Sequence, residues 1–413
     1  MAILFTNIKQ LVGVRDSWQP LRGNQLAYLP VIDNAYLVVE GDCIAGYGQM
    51  NEIPHAINDF QEHYNCEGQL VLPCWCDSHT HLVFAGSREQ EFVDKIKGMS
   101  YADIAAKGGG ILNSAKKLAD TSEDDLFTAA FARLKEVIAL GTGAIEIKSG
   151  YGLTVEGELK MLRVLKRLKE KANIPVKATF LGAHAIPASY RENRDEYIRL
   201  LIEEMLPAIA AEKLADYIDV FCEDGFFSPA EMEKICRAGK AYGLKPKLHV
   251  NQLNSIGGIE AGLRSSALSL DHLETLTEEE IQLLSASPET VCTLLPSAAF
   301  FLRMNYQPAR KLIDAGCTVA LASDYNPGSS PSGNMNFVVS LSCTQMRMLP
   351  EEAINAATLN GAYAMELGDR VGSISVGKKA NLILTKPVPS LAYLPYAFGS
   401  NLVDKVLVNG EWT

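Results

Sequence analysis

The chain of 413 residues is long enough for one large core and a smaller second unit, because single cores stop growing at about 250 to 300 residues. Hydrophobic residues at 47% and charged residues at 21% are ordinary values for a globular protein and exclude a disordered chain. The net charge of -11 comes from scattered acidic residues without a basic stripe. Nucleic acid and anionic membranes are therefore excluded as expected partners.

The start of the sequence, MAILFTNIKQLVGVRD, has no basic segment followed by a long apolar stretch. No run approaches the roughly 18 apolar residues of a membrane span. The nine cysteines are odd in number and irregularly spaced, so they do not predict a disulfide framework. We therefore expect free thiols, mostly buried, and a cytoplasmic protein.

In chain order, the sequence divides into three segments. Residues 1–68 contain short alternating strands with Gly and Asn turns. Residues 69–365 alternate strands with helices, and residues 366–413 return to short strands, ending in DKVLVNGEWT. Because the first and last segments flank the middle one, they predict a single small β-sandwich built from both termini.

Eight short β-branched or apolar runs alternate with amphipathic helical segments in the middle of the chain. One of these helical segments, SPAEMEKICRAGKAYG, opens on a Ser-Pro cap and closes with Gly243. Eight such units predict a parallel (β/α)8 TIM-like barrel rather than an open doubly wound sheet, which has roughly five or six strands. The predicted strand runs are residues 70–79, 143–149, 176–184, 217–224, 244–251, 267–274, 290–297 and 318–326.

Histidines collect at the ends of these predicted strands. His79 and His81 lie two apart in DSHTH, so in a strand both imidazoles point the same way. Active sites of such barrels lie at the carboxyl ends of the strands. We therefore expect one cluster at the rim, made by His79, His81, His184, His249, His272 and Asp324.

This clustering predicts a metal site with an open position for water, not the closed, cysteine-rich site typical of structural zinc. The set His79, His81, His249 and Asp324 suits Zn²⁺ or iron, and the sequence does not choose between them. A bound cation of this kind lowers the pKa of water to about 7 and polarises a carbonyl, so hydrolysis is the expected chemistry.

At this point the motifs SHTHLVFAGSREQEF, EIKSGYGLT, FLGAHAIP and ASDYNPGSSP identify a resemblance. The chain resembles the amidohydrolase superfamily and, within it, the imidazolonepropionase family of histidine degradation. That resemblance implies a hydrolase that opens the ring of 4-imidazolone-5-propanoate with water to give N-formimidoyl-L-glutamate. It also implies a small anionic heterocyclic substrate and a homodimer.

Residue by residue, the resemblance implies one Zn²⁺ or Fe²⁺/Fe³⁺ per chain on the four ligands above. Arg88 suits a substrate carboxylate because its guanidinium is a two-pronged donor. In the turn Asn326-Pro-Gly-Ser-Ser330, we expect the amides and the Ser329 hydroxyl to form an anion cradle. The implied substrate contacts are Arg88, Tyr151, His184, Gln252, Asn326, Gly328 and Ser329.

Two departures from wider superfamily patterns affect the expected chemistry. The fourth strand, YIDVFCED, has no Lys to be carboxylated, which predicts a single metal ion. Superfamily deaminases have Glu where this chain has Gln252, and an amide cannot shuttle a proton, so we expect Gln252 to orient the ring. Among the candidates Gln252, His184, His272 and Asp324, we expect His272 to accept the proton, with Asp324 as its partner.

Two other functions are considered beside this one. The first is another cyclic-amide hydrolase or a heterocycle deaminase on the same scaffold, which Gln252 and the anion-binding Arg88 disfavour. The second is a barrel that has lost its chemistry, which the presence of all four ligands disfavours. We also expect a loop, acting as a lid over the rim, at Lys107-Gly-Gly-Gly-Ile111.

Overall fold

The computed structural model describes residues 2–53, 60–99 and 109–413. Of the expected lid loop, Lys107 and Gly108 lie outside these ranges, and the described remainder leads into a helix that begins at Ile111. No helix among the described residues is long and apolar enough to span a membrane. All nine cysteines are free, as the sequence predicted, and seven of them are buried.

The barrel consists of eight parallel strands in the order in which they occur in the chain. All neighbouring strands of the barrel are parallel, as expected when a helix connects each strand to the next. The strands are β6 Trp75–Thr80, β7 Thr142–Lys148, β8 Val176–Ala183, β9 Tyr217–Cys222, β10 Lys245–Val250, β11 Ser269–His272, β12 Val291–Leu294 and β13 Thr318–Leu321.

The last strand meets the first through the segment that follows β13. The Asp324 amide donates to the carbonyl of His79 over 3.0 Å, and the His81 amide donates to the carbonyl of Tyr325 over 2.8 Å. These bonds place Asp324 directly beside the two histidines of the first barrel strand. The predicted (β/α)8 barrel is therefore confirmed, with its seam at the predicted metal site.

Helices cover the outside of the barrel, and the expected caps are present. Ser228 forms a capping box with Glu231 at the start of the helix Pro229–Ala241, as the Ser-Pro signal predicted. The longer helices are α1 Glu89–Ile96, α2 Ile111–Ala119, α3 Glu123–Ala139, α4 Val155–Lys171, α5 Arg194–Leu200, α6 Leu206–Glu212, α7 Pro229–Ala241, α8 Gly258–Arg264, α9 Glu278–Ser285, α10 Pro296–Leu302, α11 Ala309–Asp314, α12 Met335–Met346 and α13 Pro350–Ala357.

Shorter helical segments complete the chain. A π-helical segment, Leu201–Met205, joins α5 to α6. The remaining segments are α14 Leu359–Tyr363, α15 Tyr393–Tyr396 and the 3-10 turns Gly23–Ala27, Met50–Glu52 and Ala188–Tyr190.

The second domain is built from both ends of the chain, as predicted. Its strands are joined by hydrogen bonds into one mixed sheet in the order β16-β15-β14-β5-β1-β2-β3, with β4 also paired to β1. They are β1 Ala2–Val12, β2 Val31–Glu40, β3 Cys43–Gln49, β4 Glu62–Asn65, β5 Leu70–Pro73, β14 Leu382–Thr385, β15 Val403–Val408 and β16 Glu411–Trp412.

The first predicted strand run, residues 70–79, is divided between the two domains. Leu70–Pro73 pairs with β1 and β14, whereas Trp75–Thr80 is the first barrel strand. Each domain has its own apolar cluster: one around Phe5, Ile8 and Leu37 in the sheet, the other between the barrel strands and their helices. The apolar layer between the barrel strands and their helices holds the strand ends in place.

Candidate metal centre and active site

Five histidines converge at the carboxyl end of the barrel strands, where the sequence placed them. His79 and His81 belong to the end of β6, and their ring centres are 5.3 Å apart. His249 lies in β10, 4.4 Å from His79 between ring centres, and His272 ends β11. His184 follows β8 directly and stacks on His81 at 5.5 Å.

The rings of His79 and His249 are held by carboxylates that lie deeper in the barrel. His79 Nδ1 is 2.6 Å from Asp271 Oδ2, and His249 Nδ1 is 2.8 Å from Asp219 Oδ2. These partners place the hydrogen on Nδ1 of each ring, which leaves each Nε2 as an acceptor. The two Nε2 atoms nevertheless lie only 3.1 Å apart, and a cation bound beside them would stabilise two lone pairs that face each other at this distance.

The donor set fits a metal ion. Asp324 Oδ1 is 3.5 Å from Nε2 of both His79 and His81, and a group that can hold an ion is formed by His79, His81 and His249. A second group shares His79 and adds His272 and Asp324. Burial, reinforced by neighbouring positive charges, lowers the pKa of His79, His81 and His249 well below the usual range, so these rings are neutral ligands.

His272 has a different environment from the other rim histidines. Its Nδ1 lies 3.2 Å from Glu274 Oε1, which leaves Nε2 as the ring nitrogen without this contact. Burial lowers the pKa of His272, but the carboxylates of Glu274, Asp324 and Asp271 together outweigh it and the pKa is raised overall. His272 and Asp324 have φ angles of 85° and 54°, and such strained backbone in residues other than glycine is common at functional sites.

His184 is fixed by the turn after β7. Its Nδ1 donates to the carbonyl of Gly150 over 2.9 Å, and burial lowers its pKa to about 4. The turn is itself anchored by the buried Glu158, whose carboxylate accepts the amides of Gly150, Gly152 and Leu153. Gly150 has a φ of 108°, and a Cβ there would lie 2.9 Å from His184 Nδ1, so glycine is required.

Arg88 lines one cavity together with the rim histidines, and part of its guanidinium group is unpaired within the described part of the chain. Its Nε donates to Ser114 Oγ over 2.9 Å, and its guanidinium lies 5.7 Å from the ring centre of Tyr151. Among the described residues, its buried Nη2 has no hydrogen-bond partner. A buried guanidinium with a free donor is suited to an anionic ligand.

The turn after β13 differs from its expected form. The amides of Gly328 and Ser329 both donate to Asn326 Oδ1 over 2.8 Å, and the Ser329 hydroxyl donates to Asp324 Oδ2. The expectation of an anion cradle made by these amides is therefore wrong, because the Asn326 side chain already occupies them. Its Nδ2 also donates to the Asp324 carbonyl, so the turn positions Asp324 instead.

Most of these groups line one cavity of about 530 Å³, whereas His79 is fully buried and does not line it. Gln252 lines it just beyond β10, and Lys95 on α1 adds a second cation whose Nζ donates to the carbonyl of Gly328. Apolar side chains, among them Phe92 and Phe301, line the outer part. The predicted site residues in the cavity wall are His81, Arg88, Tyr151, His184, His249, Gln252, His272, Asp324, Asn326, Gly328 and Ser329.

Sequence reasoning missed Asp219, Asp271, Glu274, Ser114 and Lys95. The two aspartates lie in the strands YIDVFC and SLDH, at positions facing the barrel interior. An acidic residue in the middle of a buried strand could have pointed to them, because an unpaired charge is costly there and such a residue must have a partner. Nothing in the sequence marks Ser114, because its contact with Arg88 depends on how α1 and α2 pack.

Comparison with known proteins places the chain in a family. Residues 70–413 match the amidohydrolase family. The chain is 58% identical to an imidazolonepropionase from Flavobacterium johnsoniae and 54% identical to one from Christiangramia forsetii, each over 100% of both chains.

Solved structures agree in fold at much lower identity. A zinc complex of a mutant atrazine chlorohydrolase from Arthrobacter aurescens has a TM-score of 0.69 at 15% identity, covering 99% of this chain and 94% of that one. That likeness shows a shared architecture, while the close relatives carry the assignment. The chain belongs to the amidohydrolase family and, within it, to the imidazolonepropionases.

Proposed function

We propose that the protein is a metal-dependent hydrolase that opens the ring of 4-imidazolone-5-propanoate with water to give N-formimidoyl-L-glutamate. The observation that carries this proposal is that one cavity is lined both by His81, His249, His272 and Asp324 and by Arg88, whose buried Nη2 has no hydrogen-bond partner among the described residues. A metal site that activates water, placed in the same cavity as an anion site, suits a small heterocycle with a carboxylate arm. The relatives named imidazolonepropionase support the same substrate.

His79, His81, His249 and Asp324 would hold one Zn²⁺ or iron ion. When bound, such an ion polarises a carbonyl and lowers the pKa of water. Asp271 and Asp219 keep the Nε2 atoms of His79 and His249 available as ligands.

Substrate binding would use the walls of the cavity. Arg88, oriented by Ser114, would bind the propionate arm through its free Nη2. Tyr151 lies under the Arg88 guanidinium, close to the point where the arm would enter. His184 Nε2 is an acceptor for a ring N–H, because Nδ1 already donates to Gly150, and the Gln252 amide would orient the ring.

The reaction breaks the bond between the ring carbonyl carbon and its neighbouring nitrogen, after water adds to that carbon. His272 would accept the proton from water at Nε2, with Asp324 as its partner, and return it to the leaving nitrogen. Glu274 at Nδ1 fixes the tautomer and stabilises the imidazolium that forms. Gln252 takes no part in the proton transfer.

The test is to incubate the metal-loaded protein with enzymatically generated 4-imidazolone-5-propanoate and follow the loss of its ultraviolet absorbance. We expect loss far above the spontaneous rate, with N-formimidoyl-L-glutamate as the product. A spontaneous rate with metal bound would refute the proposal. Turnover of a neutral heterocycle such as guanine in its place would favour the deaminase alternative, in which Arg88 has no carboxylate to bind.

A further inference from the structure

Beneath the rim histidines, the barrel interior contains a cluster of five charged side chains. Glu146, Lys148, Asp219, Lys247 and Asp271 are each at most 1% exposed. Burying charges is costly unless each has well-placed partners, so the contacts within the cluster are informative.

Lys148 lies at the centre of this cluster. Its Nζ is 2.8 Å from Glu146 Oε1, 2.9 Å from Asp219 Oδ2 and 3.5 Å from Asp271 Oδ2. The three donors of one ammonium group thus face three carboxylates. Burial disfavours the charged form, but Asp219, Glu146 and Asp271 outweigh it and raise the pKa of Lys148.

Two of these contacts are made to the oxygens that also hold the histidines. Asp219 Oδ2 faces both Lys148 Nζ and His249 Nδ1, and Asp271 Oδ2 faces both Lys148 Nζ and His79 Nδ1. A continuous path therefore runs from His249 through Asp219, Lys148 and Asp271 to His79. At the top of this path the two Nε2 atoms lie 3.1 Å apart.

The second lysine of the cluster has no direct contact with the oxygens of Asp219 and Asp271 that face the histidines. Lys247 Nζ lies 3.1 Å from Glu146 Oε2 and donates to the Ser269 hydroxyl and to the carbonyl of Ala364. Its link to Asp271 is indirect, through the Ser269 hydroxyl, which donates to Asp271 Oδ1. It is buried to the same degree as Lys148 and shares Glu146 with it. Lys247 therefore supplies a matched control for the cost of removing a buried ammonium group.

We propose that Lys148 is a positioning residue for metal binding, which fixes the carboxylates of Asp219 and Asp271 so that His249 and His79 present Nε2 to one ion. The inference rests on the proposed metal site but not on the proposed substrate. Removing the ammonium would leave Asp219 held by the His249 amide and Asp271 by the Ser269 hydroxyl, each through Oδ1. The Oδ2 atoms that face the two rings would lose the cation they share, and the rings would lose part of their common orientation. Partners of metal ligands of this kind typically contribute about 10- to 100-fold to metal affinity.

The experiment compares Lys148→Met and Lys247→Met with the wild-type protein, each stripped of metal and titrated with Zn²⁺ alone against a chromophoric chelator. We expect a 10- to 100-fold weaker zinc affinity for Lys148→Met and a change of less than about 3-fold for Lys247→Met. Equal losses in the two variants would overturn the proposal, because they would report a general effect on the core. Unchanged affinity in Lys148→Met would overturn it as well.

A double-mutant cycle tests the route through Asp219. If Lys148 acts by fixing this carboxylate, Lys148→Met should weaken zinc binding less in an Asp219→Asn background than in the wild type. Full additivity would contradict the proposed path. Lys148→Gln, which keeps one donor, is the second variant, and failure of both Lys148 variants to fold while Lys247→Met folds would overturn the proposal in favour of a role in folding.

Zinc affinity separates this inference from the enzymatic proposal. Wild-type protein that binds zinc but does not hydrolyse 4-imidazolone-5-propanoate would refute the proposed function and leave the lysine comparison valid. Wild-type protein that binds neither zinc nor iron would refute both.

Discussion

Gly328 allows Arg88 to reach the cavity, and replacing it with alanine tests the proposed carboxylate site. A Cβ at this position would lie 2.2 Å from Arg88 Nη1 and 3.0 Å from Cζ. Gly328 does not have a positive φ, so the alanine backbone is itself unstrained. The clash must therefore be relieved by the flexible guanidinium, which leaves its place beside Ser114 and Tyr151.

The size of the effect follows from the contact that is lost. A hydrogen bond to a charged group contributes about 1.5–3 kcal/mol, so kcat/KM should fall about 10- to 150-fold, mainly through KM. Stability should change little, because the end of a long side chain moves and the backbone does not. Arg88→Met should cost more, about 2–5 kcal/mol, since it removes the charge that pairs with the substrate.

Steady-state kinetics with 4-imidazolone-5-propanoate and a thermal melt of each variant are the measurements. Gly46→Ala is the control, because a Cβ there meets nothing within 4 Å. If Gly328 acts through Arg88, Gly328→Ala should add little in an Arg88→Met background. An unchanged KM in Gly328→Ala, or a full additional loss in the double variant, would refute the reasoning.

Three further predictions concern the metal, the proton acceptor and the turn after β7. Metal analysis should give about one Zn or Fe per chain, because β9 has no Lys to bridge a second ion; two tightly held ions with full activity would contradict this. His272→Asn should retain metal but lower kcat by roughly 10²–10⁴, whereas Gln252→Leu should act on KM; the reverse pattern would exchange their roles. Glu158→Gln should lower the free energy of unfolding by about 1–3 kcal/mol in calorimetry, because the single carbonyl oxygen of glutamine cannot accept from Gly150, Gly152 and Leu153 together. An unchanged melting temperature would show that Glu158 does not anchor the turn.

The barrel was predictable because strand and helix periods are local properties of the sequence. Each of the eight predicted runs overlaps one observed barrel strand, and six of them contain it completely; the two termini form one β domain. The division of residues 70–79 between the domains was not predictable. Leu70–Pro73 and Trp75–Thr80 are both fully buried strands separated by one residue, and only tertiary pairing divides them at Cys74.

The site was predictable where a residue type occurs at a strand end. The two-residue period of a strand was enough to place His79 beside His81, and the barrel rule placed His249 and Asp324 at the same rim. The conformation of the turn after β13 could not be predicted. The sequence does not reveal that the Asn326 side chain accepts hydrogen bonds from the amides that an anion would need.

The acids of the barrel interior show why the rim can hold neutral ligands close together. Each of Asp219 and Asp271 accepts from a histidine Nδ1 above it and faces Lys148 below it. The negative charge that orients each ring is thus balanced inside the barrel, rather than by protonation of the histidines. Because the compensating charge lies beneath the rings, the Nε2 atoms of His79 and His249 remain unprotonated and lie 3.1 Å apart. A barrel with the same histidines but an apolar interior would have no groups to fix these tautomers, so the proposed metal site would depend on interior residues that the histidine pattern alone does not reveal.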